Sequence, residues 1–221
     1  MATFTTSKSV GQNININVET STSYWKYNHN ETDSSVFSNG SQLITVTNEN
    51  GEFTIISCLA DSTVSGDITT LDLSGNQLTS FDGRGLSSVT LLDLKDNPLT
   101  TFIGGDLQLL SKIDLRGRGF LSGWNITTLE SIDITDMDNL QYLYVEDNRS
   151  INNKSVNNSL LAKLAANELA NDWDSGEFFT GGGRTSAGTT DYDYLISNSW
   201  NISGADSVSR KLRVRGIQSL K

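Results

Sequence analysis

One cysteine, one histidine and one proline stand in a chain of 221 residues, and these scarcities close off whole classes of function. Cys58, being alone, excludes an intramolecular disulfide and reads as a buried free thiol. His29 has no Ser, Cys or Asp spaced around it as in a hydrolase, which argues against nucleophilic catalysis. No apolar run approaches the ~18–20 residues that cross a bilayer, so no membrane-spanning helix is expected. Met1 to Val10 lacks the charged and apolar regions of a secretory signal, so export by that route is not expected. The Gly181–Arg184 run is not followed by Gly-Lys-Ser/Thr, which excludes a phosphate loop. Asp191 and Asp193 fall on an expected loop with no pocket around them. The chain is therefore read as non-enzymatic, with no catalytic, cofactor-binding or metal-ligating residues.

What is present points to strands and turns. Nineteen glycines accompany abundant Ser, Thr and Asn, while apolar residues make up 36% of the chain. In residues 1–66, Ile14, Ile16 and Val18 alternate with polar neighbours, the period of a half-buried strand. Tyr24–Tyr27 is a second candidate strand. Leu43–Val46 and Phe53–Ile56 flank Asn50-Gly51, which predicts a hairpin closed by a tight turn.

The most informative stretch is Ile68–Ile151. Leu71-Asp-Leu73, Asn76, Leu78 and Phe81 recur as Leu92-Asp-Leu94, Asn97, Leu99 and Phe102, every one displaced by 21 residues. Leu110–Phe120 keeps the strand but carries Arg118 in place of the asparagine. Leu129–Ile134 and Leu140–Asn148 follow, the second only 11 residues after the first. Five stacked strands are expected, at 71–73, 92–94, 113–115, 132–134 and 143–145. Then Val156, Leu160, Leu161 and Leu164 mark an amphipathic helix with Asn153 or Ser155 as N-cap. Trp173, the Gly-rich turn and Tyr192–Ile202 come after it.

The spacing L-x-x-L-x-L-x-x-N-x-L resembles the leucine-rich repeat. The Leu/Ala helix, Gly-rich turn and closing Trp200–Ile202 are similar to the C-terminal caps of leucine-rich proteins of Bacteroidetes and their phages, with Ser199 where those have Gly. The resemblance implies a β-rich α/β solenoid: a short leucine-rich-repeat stack with an N-terminal antiparallel β cap and a C-terminal helical cap. The corresponding divisions are a cap or attachment domain at 1–66, repeats at 67–152, a helix and cap at 153–205, and a basic arm at 206–221.

Alternation within the expected strands turns Asp72, Asp93, Asp114 and Asp133 outward as one column. Such a column is either a site for a cation or basic partner, or an acidic ladder neutralised by Lys95, Lys112 and Arg116. The second reading is preferred, because a ladder supplies calcium's six or more oxygens poorly. Tyr142, Tyr144 and Glu146 continue the same face, and tyrosines beside charges are common interaction anchors. Ser207–Lys221 carries five basic residues and no acid, against a formal −15 for residues 1–206. Within it, Leu212 and Val214 alternate with Lys211, Arg213 and Arg215, next to Arg210; the arm is read either as a strand that adds to a neighbour's sheet edge or as a solubilising end. The acidic body argues against nucleic acid as a partner. The expected function is protein interaction and structure: a phage virion component (capsid decoration, fibre or tail accessory) docking through the arm, located in the virion. The alternative is a bacterial cell-surface or extracellular adhesion protein binding host protein or glycan.

Overall fold

The computed structural model describes residues 2–29, 32–47, 52–58, 67–117, 129, 132–148, 154–173, 175–181 and 183–204. Seven strands precede the repeats: β1 (Ala2–Thr6), β2 (Asn13–Thr20), β3 (Tyr24–His29), β4 (Thr32–Asp33), β5 (Phe37–Ser38), β6 (Gly40–Thr45) and β7 (Glu52–Cys58). The repeats supply β8 (Ile68–Asp72), β9 (Leu78–Asp82), β10 (Leu91–Asp93), β11 (Thr101–Ile103), β12 (Lys112–Asp114) and β13 (Tyr142–Tyr144). Helix α1 (Lys154–Asn171), β14 (Glu177–Phe179), a single 3-10 turn at Ser186–Gly188, α2 (Thr189–Ser197) and β15 (Asn201–Ser203) complete the described elements.

These strands form two sheets. One has eight strands in the order β15-β14-β13-β12-β10-β8-β2-β6; the other has seven, along β11-β9-β1-β7-β3-β4 with β5 beside β3. The expected solenoid with a separate terminal cap is therefore corrected to a mixed α/β fold of two multi-stranded sheets. The overturning observation is the pairing of the first two strands. β1 lies antiparallel between β7 and β9, and β2 lies antiparallel between β6 and β8, so residues from before and after position 66 share both sheets. Alternation makes this work: Ile14, Ile16 and Val18 of β2 and Ala2, Phe4 and Thr6 of β1 all turn inward and are buried.

The 21-residue period sets the parallel register. Leu71, Leu92 and Ile113 stand side by side, with Leu143, Phe178 and Ile202 continuing their row. After each of the first two strands the chain turns and enters the other sheet as β9 or β11, where Phe81 and Phe102 stack with ring centroids 5.9 Å apart. The turns are held by buried amides. Asn97 donates Nδ2 to the carbonyls of Leu73 and Leu94, both at 2.9 Å, and its Oδ1 accepts the N–H groups of Asn76 (2.9 Å) and Leu78 (3.0 Å). Asn76 bonds likewise to the carbonyl of Leu73 and to both backbone groups of Asn15, and Asn148 donates to the carbonyls of Leu115 and Val145. The residue before each asparagine is left-handed. Gly75, Asp96 and Asp147 hold φ of 67°, 58° and 60°, a conformation open to Gly and tolerated by Asp.

Two further expectations are corrected. β6 and β7 belong to different sheets, so they do not form a hairpin; residues 48–51 lie outside the described set. Residues 132–134 form no strand, because Ile113 pairs directly with Leu143 and leaves no slot between β12 and β13. The sheet is instead extended from the C-terminal side by β14 and β15, and Asp191 and Asp193 lie on α2 rather than a loop.

Helix α1 buries Leu160, Leu161 and Leu164, as its spacing predicts, and also Asn157, Asn167 and Glu168. The buried carboxylate of Glu168 accepts the Trp200 indole N–H at 2.7 Å, while Asn167 donates to the carbonyl of Met137 at 2.8 Å. Ser155 lies within the helix; Asn153 is outside the described residues.

Asn97→Ala strands two buried N–H groups and removes a donor from two carbonyls. Each uncompensated group costs about 1–3 kcal/mol, so urea unfolding is expected to show a loss of at least ~3 kcal/mol. The half-buried Asn139, with one solvent-accessible bond to the carbonyl of Gln108, should lose under ~1 kcal/mol on the same change.

Candidate interaction face

The outward surface of the eight-stranded sheet is built from two registered rows. Glu19, Thr70, Leu91, Lys112, Tyr142, Glu177 and Asn201 make one; Asn17, Asp72, Asp93, Asp114, Tyr144, Phe179 and Ser203 make the other. Strand spacing of ~4.8 Å brings successive side chains of a row into contact range.

The aspartates serve the turns. Asp72 accepts the N–H of Ser74 at 2.9 Å, Asp93 that of Lys95 at 3.0 Å, and Asp114 that of Arg116 at 3.1 Å. Each carboxylate closes the bend that leaves its strand, the known competence of Asp for turns of this kind. This local duty explains the repetition of Leu-Asp-Leu without a ligand. Asp133 makes the same bond to Thr135 at 2.9 Å, but it sits off the sheet and does not join the column. The Thr135 hydroxyl and N–H hold its pKa below the usual carboxylate value. Among the described residues no group of three or more His, Cys, Asp or Glu side chains is disposed to hold a metal ion.

Asp114 carries a second load. It is 5% exposed and receives Arg116 through two nitrogens, Nε at 3.0 Å and Nη2 at 2.5 Å. Asp93, by contrast, stands between Asp72 and Asp114. Burial, then repulsion from Asp114 and Asp72, lifts its pKa, partly offset by the Lys95 N–H and ammonium.

Tyr144 is the centre of the face. It is 6% exposed, its hydroxyl donates to Glu177, and its ring meets Phe179 at 5.1 Å between centroids. Arg116 and Lys112 lie over the same ring, 5.1 and 5.4 Å from its centroid. Burial and the Glu177 carboxylate push the phenol pKa far up, so the hydroxyl stays a donor across the physiological range. Beside this fixed centre, Lys112, Tyr142 and Glu177 form a half-buried strip open to solvent. Sequence reasoning missed Glu177 and Phe179, which enter the face after an 18-residue helix. The one local signal is the short Glu-Phe-Phe run between Gly176 and the Gly-rich turn.

The remaining candidates lie elsewhere. Arg210, Lys211, Arg213 and Arg215 are outside the described residues. His29 is buried against Phe53, ring centroids 3.9 Å apart, on β3 of the other sheet. No protein-family model matches the chain, and neither a curated protein nor a solved structure does.

Asp93 supplies a pH test. A carboxyl whose folded pKa is raised binds its proton more tightly when folded, so its contribution to stability is lost as pH rises through that pKa. Asp93→Asn retains the acceptor for the Lys95 N–H and removes the charge. Its melting temperature should exceed that of the unaltered protein at pH 7, and the gap should close at a pH low enough to protonate the carboxyl in both states. Differential scanning calorimetry across that range measures it; an unchanged or lower value at pH 7 refutes a cost of burying the Asp93 charge beside Asp114 and Asp72.

Proposed function

We propose that the chain is a non-enzymatic interaction and structural protein that presents the outer face of its eight-stranded sheet to a protein partner. The observation that carries this reading is the fixed aromatic centre at Tyr144. Its ring and hydroxyl are held by Phe179, Glu177, Arg116 and Lys112 before any partner arrives. Pre-ordered aromatic and Arg side chains lose little entropy on docking, and they dominate binding energy where they occur. The half-buried Tyr142, Lys112 and Glu177 next to it offer both charges and a ring to a polypeptide surface. A mixed-sign face on a body of formal charge −15 over residues 1–206 is poorly suited to nucleic acid. The aspartates of the column are engaged in turns and His29 is buried, which supports an interaction role over a catalytic one.

The setting we favour is the virion, with the basic segment 206–221 as a docking arm. The phage-type repeat resemblance and the opposite charges of arm and body support it. An antibody raised against the protein should find it co-sedimenting with particles from a producing culture. Tyr142→Ala with Lys112→Glu should cut the particle-bound fraction roughly tenfold, the effect of losing one anchor, while leaving the melting temperature within a few degrees. Recovery only on cell envelopes would favour the adhesion reading. Unchanged incorporation of the double variant would remove the face from the account.

A further inference from the structure

The eight-stranded sheet ends on one side in β6, and that edge differs from the other sheet edges described. β4, β11 and β15 are two or three residues long, whereas β6 runs for six and carries no charge or proline: Gly-Ser-Gln-Leu-Ile-Thr. Natural edges of this length are normally blunted by lysine, proline or a bulge. Here Leu43, on the outer surface of the edge strand, is 71% exposed.

The hydrogen bonds say which backbone groups are open. Val46 donates to the carbonyl of Gln12 at 2.8 Å and accepts from Gly11 at 2.9 Å, so Val46 faces β2. Alternation then turns Ile44 and Gln42 to β2, and points the N–H and C=O of Ser41, Leu43 and Thr45 away from it. Among the described residues no strand pairs with β6 on that side.

We propose that residues 210–215 of one copy add as a strand to the β6 edge of a second copy. The inference rests on the docking-arm reading above and names the arm's acceptor. Three properties of the arm fit this edge. Arg210–Arg215 is six residues long, matching β6. Its alternation places Leu212 and Val214 on one side, with Arg210 at the strand's end, where the two apolar residues prolong the inward row that ends at buried Ile44. Lys211, Arg213 and Arg215 then stand over the outer surface, on the side of Glu19, Asp72 and Asp93.

Reach decides whose edge is used. The arm follows β15, at the opposite end of the sheet, seven strand spacings from β6. That is ~34 Å along the sheet at ~4.8 Å per strand. The seven residues from Gly204 to Lys211 extend to about 25 Å at most. A copy therefore cannot serve its own edge, and the contact runs head to tail, building a ring or an open chain of copies.

The test uses the full chain, a chain lacking residues 207–221, and a labelled peptide of those fifteen residues. Sedimentation velocity should show the full chain associating with concentration and the shortened chain staying monomeric. The peptide should bind the shortened chain. Leu43→Pro in that chain removes an N–H that no β2 bond uses, and should weaken the peptide at least tenfold. The peptide carrying Leu212→Asn and Val214→Asn, with all five charges kept, should also bind at least tenfold more weakly; this arm holds even if the proline variant fails to fold. Self-association of the shortened chain would point to pairing of two β6 edges and overturn the proposal. Equal binding by the charge-only peptide, or a monomeric full chain with no peptide binding, would overturn it too. Particle incorporation that survives any of these failures leaves the sheet-face reading standing.

Discussion

The side-chain amide of Asn97 joins four backbone groups at the point where the chain leaves one sheet for the other. At that bend the peptide groups have no ladder partners and no access to water, so they must be satisfied by a side chain or not at all. An amide is suited to it, because one planar group offers two donors and an acceptor with two lone pairs. Asn76 repeats the solution one strand to one side, after β8, and Asn148 two strands to the other, after β13. Where Asn76 meets the amino-terminal part of the chain, it bonds Asn15 of β2 through both its oxygen and its nitrogen. The same device thus stacks the repeats and ties them to the antiparallel strands before them.

From that constraint the outer face follows. Bends fixed in phase keep β8, β10 and β12 in one register, so side chains 21 residues apart become lateral neighbours, and β13 joins the same register with Leu143 beside Ile113. In the three-residue strands β10, β12 and β13 position two points in and positions one and three point out, as Leu71, Thr70 and Asp72 do in the longer β8. The third position meets the bend, and Asp there is recruited to close it. Only in β13, β14 and β15 does that position carry Tyr144, Phe179 and Ser203 instead, and there the face becomes aromatic. Helix α1 supports this end from the side through Asn167 and the Glu168–Trp200 bond. The face is therefore uneven by construction: acidic and committed to turns at one end, aromatic and mixed in charge at the other.

Much of the local structure is legible in the sequence. The period of Leu71, Leu92 and Ile113, the asparagines and the alternation of Ile14, Ile16 and Val18 each follow from chemistry within a few residues. What was not legible depends on partners distant in sequence. Nothing in Ala2–Thr6 announces that it will lie between β7 and β9, and that insertion is what converts an expected stack with a cap into two sheets. The Asn-Gly pair suggested a hairpin, but turn propensity cannot say whether the flanking strands join the same sheet. Ile132 and Ile134 have strand-like spacing, yet the register between Ile113 and Leu143 leaves them no place. The acidic column holds for Asp72, Asp93 and Asp114 but not for Asp133, and its cause is not in the spacing, because the Asp-to-N–H bond two residues on becomes visible only with the bend. Glu177 and Phe179 escaped notice for the opposite reason: they belong to no repeat.

We propose that the aromatic end of the sheet is where a partner sits. Hydroxyl-radical footprinting of the protein, free and on purified particles, tests it most directly, since aromatic side chains report their own solvent contact. Oxidation of Tyr142 should fall several-fold on the particle while that of Tyr24 in β3 stays unchanged. Equal oxidation of Tyr142 in both states, with protection elsewhere on the surface, would contradict the account.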